Sequence, residues 1–309
     1  MKALVYDDYC ILDGMQLVDV DDPRPSENEV LVEVHAAGIN PIDWKVRGGM
    51  LRSRFELDFP DIAGRDFSGR ILELGENVTD FNVGDEICGT CPPHLWGSHA
   101  ELLTVDAGVA AIKHPSITHV DAASIPLVGH TVLTALENTA QIIEGTKVLI
   151  HAGAGGVGAF SIQYCKSMGA TVYATCSETN IDFVSELGAD QVIDYNSQDF
   201  VELCSGLDLV YDTVGGTTHQ RSYDVLRPNG LLVCLNAAPI PDEAPRDDIR
   251  VETPVVSYMR SGVERIIELI LSEAVKPSVG SVFAFSDAIE AYRLSETNHA
   301  RGKIVLTMQ

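Results

Sequence analysis

The sequence predicts an α/β protein in two parts, a β-rich region followed by a doubly wound parallel sheet, and three observations carry that prediction. Its 309 residues exceed what one core of roughly 250–300 residues organises, so two domains are expected. From Met1 to about Asp121 the chain reads as short strands punctuated by Gly, Pro and Asp. From Lys147 onward apolar runs alternate with amphipathic helical stretches at the spacing of βαβ units.

The elements follow in order. KALVY at the start, EVLVEVHAAG and SGRILELG read as strands, and Val83-Gly84-Asp85-Glu86 turns into a further apolar segment. A Pro- and Gly-rich loop runs from Cys91 to Gly97, and GSHAELLTV reads as another strand. Asp121 to Asn138 has helical spacing. The second part is expected to hold strands at Lys147–Ala152, Thr171–Cys176, Gln191–Tyr195, Asp208–Val214 and Leu231–Asn236, with crossover helices between them, which implies a parallel sheet. Beyond a polar, Pro-rich stretch come a strand near Arg250–Val256 and a helix from about Gly262 to Ala274. The end (SVFAF, a helix capped by Ser286, and GKIVLTM) reads as strand, helix and strand returning to the first domain. The expected division is 1–121, 122–256 and 257–309.

Composition narrows the function. With 45% hydrophobic and 21% charged residues the chain carries enough apolar surface for a packed core, which excludes disordered and collagenous classes. A net charge of −24 repels phosphate backbones and anionic lipid, so nucleic acid and membrane surfaces are not expected partners. Seven cysteines, odd in number and sparse, read as reduced thiols in a cytoplasmic setting. MKALVYDDYC reaches two aspartates before any apolar run develops, so no signal peptide is expected. The uncharged stretch between Lys147 and Lys166 is long enough on paper to span a bilayer. Its central glycines favour a strand, turn and helix instead.

That turn is the strongest chemical motif. In VLIHAGAGGVGAFSIQYCKSMGA, Gly153-Ala154-Gly155-Gly156-Val157-Gly158 follows a strand and opens a helix. Glycines there permit a tight turn and close backbone approach, and a helix N-terminus suits a pyrophosphate. The residue ending the next strand selects the cofactor, since a carboxylate there binds the ribose hydroxyl of NAD and repels the 2′-phosphate of NADP. Ser177 stands at that place, with Asn180 as a second donor and Tyr195 at the end of the following strand, which favours NADP(H). Glu178 beside it is the competing acidic group, and a simple capping role for Ser177 is the alternative. Val214-Gly215 and Asn236-Ala237 end the last two sheet strands, where open α/β sheets place ligands. A rival metal motif is Cys88, Cys91, His94 and His99, four soft ligands within a dozen residues, although no second Cys pair lies nearby.

AAGINPIDWKVRGG at 36–49, GRDFSG at 64–69, VGDEICG at 83–89 and the glycine turn in register behind them resemble the medium-chain dehydrogenase/reductase superfamily, and within it the zinc-free, zeta-crystallin-like quinone oxidoreductases. The resemblance runs from Met1 to ARGKIVLTM. It implies a GroES-like catalytic domain closed by the C-terminal segment, an inserted Rossmann domain, and NADPH in the cleft. Zinc-dependent members carry Cys where this chain has Asn40 and Gly-His-Glu where it has Gly64-Arg65-Asp66, and the four-Cys structural lobe is absent, so no metal is expected.

The likeness also assigns candidate roles. Asn40 is expected beside the nicotinamide ribose or the substrate carbonyl, with Asp43 orienting the turn and Trp44 lining the cleft; a structural Asn-Pro turn is the alternative. Thr131 matches a nicotinamide-side threonine, while His130 beside it reads as helix packing. Lys303 matches a lysine that reaches the cofactor, against a solvated strand-end lysine. Trp96 lies in a loop that flanks the substrate entrance of the resembled enzymes. The implied chemistry is metal-independent hydride transfer from NADPH to a quinone or an α,β-unsaturated carbonyl, with the protein positioning donor and acceptor. Reduction of an enoyl thioester, and a non-catalytic NADPH-binding or structural role, are the alternatives. The likeness favours a homodimer.

Overall fold

The computed structural model describes residues 1–54, 56–92, 97–235 and 244–308. It divides into two compact units, the first formed by Met1–His130, Tyr258–Leu269 and Pro277–Gln309, the second by Thr131–Ser257 and Ile270–Lys276.

In the second unit six strands form one sheet in the spatial order Gln191–Asp194, Thr171–Cys176, Lys147–Ile150, Leu207–Asp212, Leu226–Cys234 and Arg250–Glu252. Every pairing is parallel. The order reverses direction at Lys147–Ile150, as in a doubly wound nucleotide-binding sheet. Val148, Leu149 and Ile150 are all fully buried, the continuous apolar run of a strand covered on both faces. Leu149, Ile193, Val210 and Leu232 share a core with Phe200 and Tyr223.

The first unit is built on a seven-stranded, mostly antiparallel sheet around the long strand Glu29–Ile39. That strand alternates buried and half-buried residues and then buries its last four, because Lys303–Thr307 and Asp66–Leu74 flank it at that end. A three-stranded sheet of Gln16–Asp19, Lys2–Tyr6 and Asp61–Ile62 completes the unit. The terminal residues rejoin here, with Val279–Ala284 parallel to Lys303–Thr307 at the sheet edge.

Some elements differ from the expectations above. The helical stretch predicted from Asp121 to Asn138 is three pieces, His119–Ser124, Pro126–Val132 and a π-helical Leu133–Ala140, since Pro126 has no amide with which to continue the first helix. Ser286 is not a helix cap: Phe285–Asp287 forms a 3₁₀ turn, and the helix Ala288–Glu296 starts behind Asp287. His99 lies ahead of its strand, which begins at Leu102, and Cys88 lies inside Glu86–Thr90 rather than ending it. The strand near Arg250 spans only Arg250–Glu252.

Candidate active site

Strand register in the first unit gathers three distant polar residues. Asp66 pairs with Gly38, and Ile304 pairs with Ile39. Asn40, two residues beyond Gly38, therefore faces the same side as Asp66, with Lys303 opposite it. Gly38 makes the room: a Cβ there would lie 2.4 Å from the Ala123 carbonyl and 3.1 Å from the Asp66 Cβ.

The resulting network is closed. Lys303 Nζ donates to the Ile39 carbonyl at 3.1 Å and to Asn40 Oδ1, and it stands 3.3 Å from Asp66 Oδ2. Asn40 Nδ2 donates to the same Asp66 oxygen at 2.9 Å. The other Asp66 oxygen accepts the Leu127 amide at 2.9 Å, at the start of the Pro126–Val132 helix. Lys303 is 5% exposed, which excludes a solvated strand-end lysine. Such a buried ion pair persists only when hydrogen bonds occupy its remaining donors and acceptors.

Asn40 also starts the helix Pro41–Arg47, and its amide N–H donates to Asp43 Oδ2 at 2.7 Å, one arm of a capping box. The second Asp43 oxygen is buried with no partner among the described residues. Burial pushes this carboxyl up to about 7, outweighing the positive charge of Arg65. Trp44, on the next position, is half-buried, and its indole N–H has no acceptor among the described residues.

The metal alternative meets different surroundings. Burial pushes the Cys88 and Cys91 thiols up to about 12. His99 has its Nε2 3.3 Å from the Gly38 carbonyl and its Nδ1 3.1 Å from the Tyr292 hydroxyl. A carbonyl only accepts, so Nε2 carries the proton and Nδ1 accepts from Tyr292; burial holds the ring neutral down to about 3. His94 lies outside the described residues.

In the second unit each glycine of the turn has its own environment. A Cβ on Gly153 would press on Ala174 and Ile162 at 3.1 Å, and one on Gly158 would meet the Ala152 carbonyl at 2.3 Å. Gly155 has only that carbonyl at 3.5 Å. Two glycines therefore close the strand, turn and helix together, and the third leaves open space at the N-terminus of Gly156–Ser167, beside Ala154 and Val157. This is a cradle that fits a dinucleotide pyrophosphate.

Ser177 precedes a 3₁₀ turn, Glu178–Asn180, without capping it by its side chain; instead its hydroxyl accepts from Asn180 Nδ2 at 2.9 Å. The Tyr195 amide bonds the Cys176 carbonyl at 3.1 Å, and its half-exposed ring follows the neighbouring strand. The structure thus brings Ser177, Asn180 and Tyr195 to one sheet end. Val214 and Gly215 donate their amides to one oxygen of buried Asp212 at 2.9 and 2.8 Å, while the other lies 3.1 Å from His219 Nδ1. Thr131 is buried on the Pro126–Val132 helix, and His130 packs between the carbonyls of Pro126 and Met259. Trp96, Asn236 and Ala237 lie outside the described residues. The sequence reading assigns no role to Asp66 or Asp212. GRDFSG enters the sequence reading as a motif of the family likeness and for the zinc ligands it lacks, and Asp212 reads as a polar residue within a strand.

Residues 26–116 match the family model of the alcohol dehydrogenase GroES-like domain, and 187–306 match that of zinc-binding dehydrogenases. The chain is 35% identical to the mitochondrial NAD(P)H oxidoreductase RTN4IP1 of Danio rerio, over 91% of this chain and 84% of that protein. It is 31% identical to a chloroplast envelope quinone oxidoreductase homolog of Arabidopsis thaliana, over 99% of this chain and 98% of that one. Among solved structures, the quinone oxidoreductase from Coxiella burnetii superposes with a TM-score of 0.90 at 33% identity, covering 100% of this chain and 99% of that one. The Escherichia coli quinone oxidoreductase complexed with NADPH gives 0.91 at 26% identity, covering 99% and 100%.

Proposed function

The chain belongs to the quinone oxidoreductase branch of the medium-chain dehydrogenases/reductases, and from that premise we propose that it is an NADPH-dependent reductase of quinones or α,β-unsaturated carbonyls that works without zinc. The observation that carries this reading is the glycine turn, closed at Gly153 and Gly158 and open at Gly155, with Ser177 in place of a carboxylate on the next strand. NADPH, when bound, supplies a hydride to an electron-poor carbon.

The residues that would hold it are Gly153, Ala154, Gly155, Gly156 and Val157 at the pyrophosphate, with Ser177, Asn180 and Tyr195 at the 2′-phosphate. Val214, Gly215 and Thr131, with Asn236 and Ala237, are assigned to the nicotinamide end. Asp212 takes the amides of Val214 and Gly215 and so fixes the course of the backbone there before any ligand arrives. In the first unit Asn40 and Lys303 are assigned to cofactor contact, and Trp44 and Trp96 to the acceptor; the unpartnered Trp44 indole N–H supports its assignment. Asp43 keeps a carboxyl proton up to about pH 7, so the cluster holds a proton near neutrality.

Zinc independence is supported by charge. The Lys303 ammonium already meets Asn40 and Asp66, and an added cation there would meet repulsion. Among the described residues no helix is long and apolar enough to cross a membrane. We assign the enzyme to the cytoplasm, in keeping with seven free thiols, and to a homodimer, which light scattering would test.

The deciding assay is loss of reduced-nicotinamide absorbance across a panel of quinones and short enones, with primary alcohols and NADP in the reverse direction. Turnover with activated acceptors, resistance to chelators and negligible alcohol oxidation are expected. NADPH binding without turnover of any acceptor would favour a binding role, and activity abolished by chelation and restored by zinc would overturn the metal-free mechanism.

A further inference from the structure

We propose that Asp66 is a positioning residue of this site, the buried carboxylate that sets the orientation of Asn40 and Lys303 and fixes the start of the helix bearing Thr131. The inference rests on the reductase reading above and adds a residue that the reading did not require. Asp66 has no exposed side-chain surface and both its oxygens are engaged. One oxygen takes the Asn40 carboxamide at 2.9 Å and the Lys303 ammonium at 3.3 Å; the other takes the Leu127 amide at 2.9 Å.

The chemistry of the partners gives the arrangement a direction. A carboxamide is nearly symmetric in shape, so only its hydrogen bonds decide which end is the donor. Asp66 accepts and cannot donate when ionised, and Lys303 donates and cannot accept. Between them Asn40 has one permitted orientation, Nδ2 toward Asp66 and Oδ1 toward Lys303. Leu127 lies one helical turn before Thr131, so the same carboxylate anchors the helix that carries the candidate nicotinamide-side threonine. Gly38, with no room for a side chain beside Asp66, keeps the three groups in contact.

Asp66→Asn tests this, because an amide at that place retains the size but leaves one acceptor oxygen for three donors, Asn40, Lys303 and the Leu127 amide, and turns an NH2 toward at least one of them. The variant, Asn40→Ala and the double variant are compared by NADPH titration, by kcat and KM with a quinone, and by thermal unfolding. Asp66→Asn alone is expected to lower kcat/KM by on the order of 10- to 100-fold and to weaken NADPH. In the Asn40→Ala background the same change is expected to cost clearly less than it does alone, since the share transmitted through Asn40 is already lost and only the shares through Lys303 and the Leu127 amide remain. If Asp66→Asn does not fold with its lysine unpaired, Asp66→Asn/Lys303→Met is scored against Lys303→Met alone, with and without Asn40.

Additive losses, or a fall in activity that only tracks a fall in the unfolding midpoint, would reduce Asp66 to a structural residue and overturn the proposal. Wild-type protein that fails to bind NADPH would instead overturn the reductase reading and the inference with it. Wild-type turnover with an unaffected Asp66→Asn variant would overturn the inference alone.

Discussion

Desolvation at Asp43 is strong enough to bring a carboxyl to about 7 in spite of Arg65 beside it. An unfolded aspartate titrates near 4. A group whose folded value lies above its unfolded one contributes stability below the unfolded value and loses it as pH rises through the folded one. Asp43→Asn, which keeps an acceptor for the Asn40 amide but cannot ionise, should therefore gain on wild type by on the order of 3–4 kcal/mol between pH 4 and a pH above neutrality. Urea unfolding of both proteins at the two pH values reads that difference directly, and a pH-independent difference would contradict it. His99 works in the opposite sense, because its folded value near 3 lies below the ordinary one. Its stabilisation is complete above about pH 6.5 and declines as the unfolded chain gains a proton below it. Ser177 is the residue on which cofactor choice is expected to turn. Its hydroxyl, held by Asn180, gives way in Ser177→Asp to a carboxylate that repels the 2′-phosphate, so titration should show NADH preferred over NADPH. Unchanged NADPH preference would transfer the selection to other groups.

Packing and cofactor contact separate within the glycine turn. Gly158 has backbone at 2.3 Å where a methyl would stand, so Gly158→Ala must push the helix Gly156–Ser167 off the preceding turn. A loss of about 1–3 kcal/mol in stability is expected. Gly155 has a φ of −75° and ordinary clearance, so Gly155→Ala should unfold near the wild-type temperature while weakening NADPH, its methyl occupying the cradle. Thermal unfolding paired with NADPH titration separates the two, and equal stability losses would show that both glycines serve packing only. At this scale the sequence was most legible where periodicity and burial coincide. Thr171–Cys176 is legible to the residue, because a run of β-branched and aromatic strand formers stands between Gly169-Ala170 and the polar Ser177-Glu178-Thr179-Asn180. Short partners such as Gln16–Asp19 and Asp61–Ile62 left no such trace. The Ser286 cap failed because Ser, Asp and Ala in succession offer two starts, and the chain takes the later one after a 3₁₀ turn. Asn40 and Asp43 stand together in one segment, NPIDWK, that the family likeness singles out. Asp66 is not legible as a site residue, since its meaning depends on Lys303, which reaches it only through sheet register.

The whole molecule carries a net charge of −24, yet the proposed ligand is itself a polyanion. In the second unit Lys166, Arg221, Arg227 and Arg246 are paired with Asp190, Asp199, Asp208 and Asp248, and the segment Ser177–Asn180 contains neither Lys nor Arg. Attraction of the phosphates is here assigned to backbone amides, the helix N-terminus and hydroxyls, which act over short distances and are screened little. The repulsion is a field of many separated charges, which salt screens beyond a Debye length of about 10 Å at 0.1 M. Raising the ionic strength from low to physiological values should for this reason leave NADPH affinity unchanged or tighten it, opposite to the weakening that cation-driven anion sites show. NADH, with less charge, should respond less. Fluorescence titrations of both cofactors over a salt series measure the two slopes. A steep loss of NADPH affinity with salt would mean that an unpaired cation dominates the 2′-phosphate contact, and the assignment of that contact to Ser177 and Asn180 would then give way to a search for that cation.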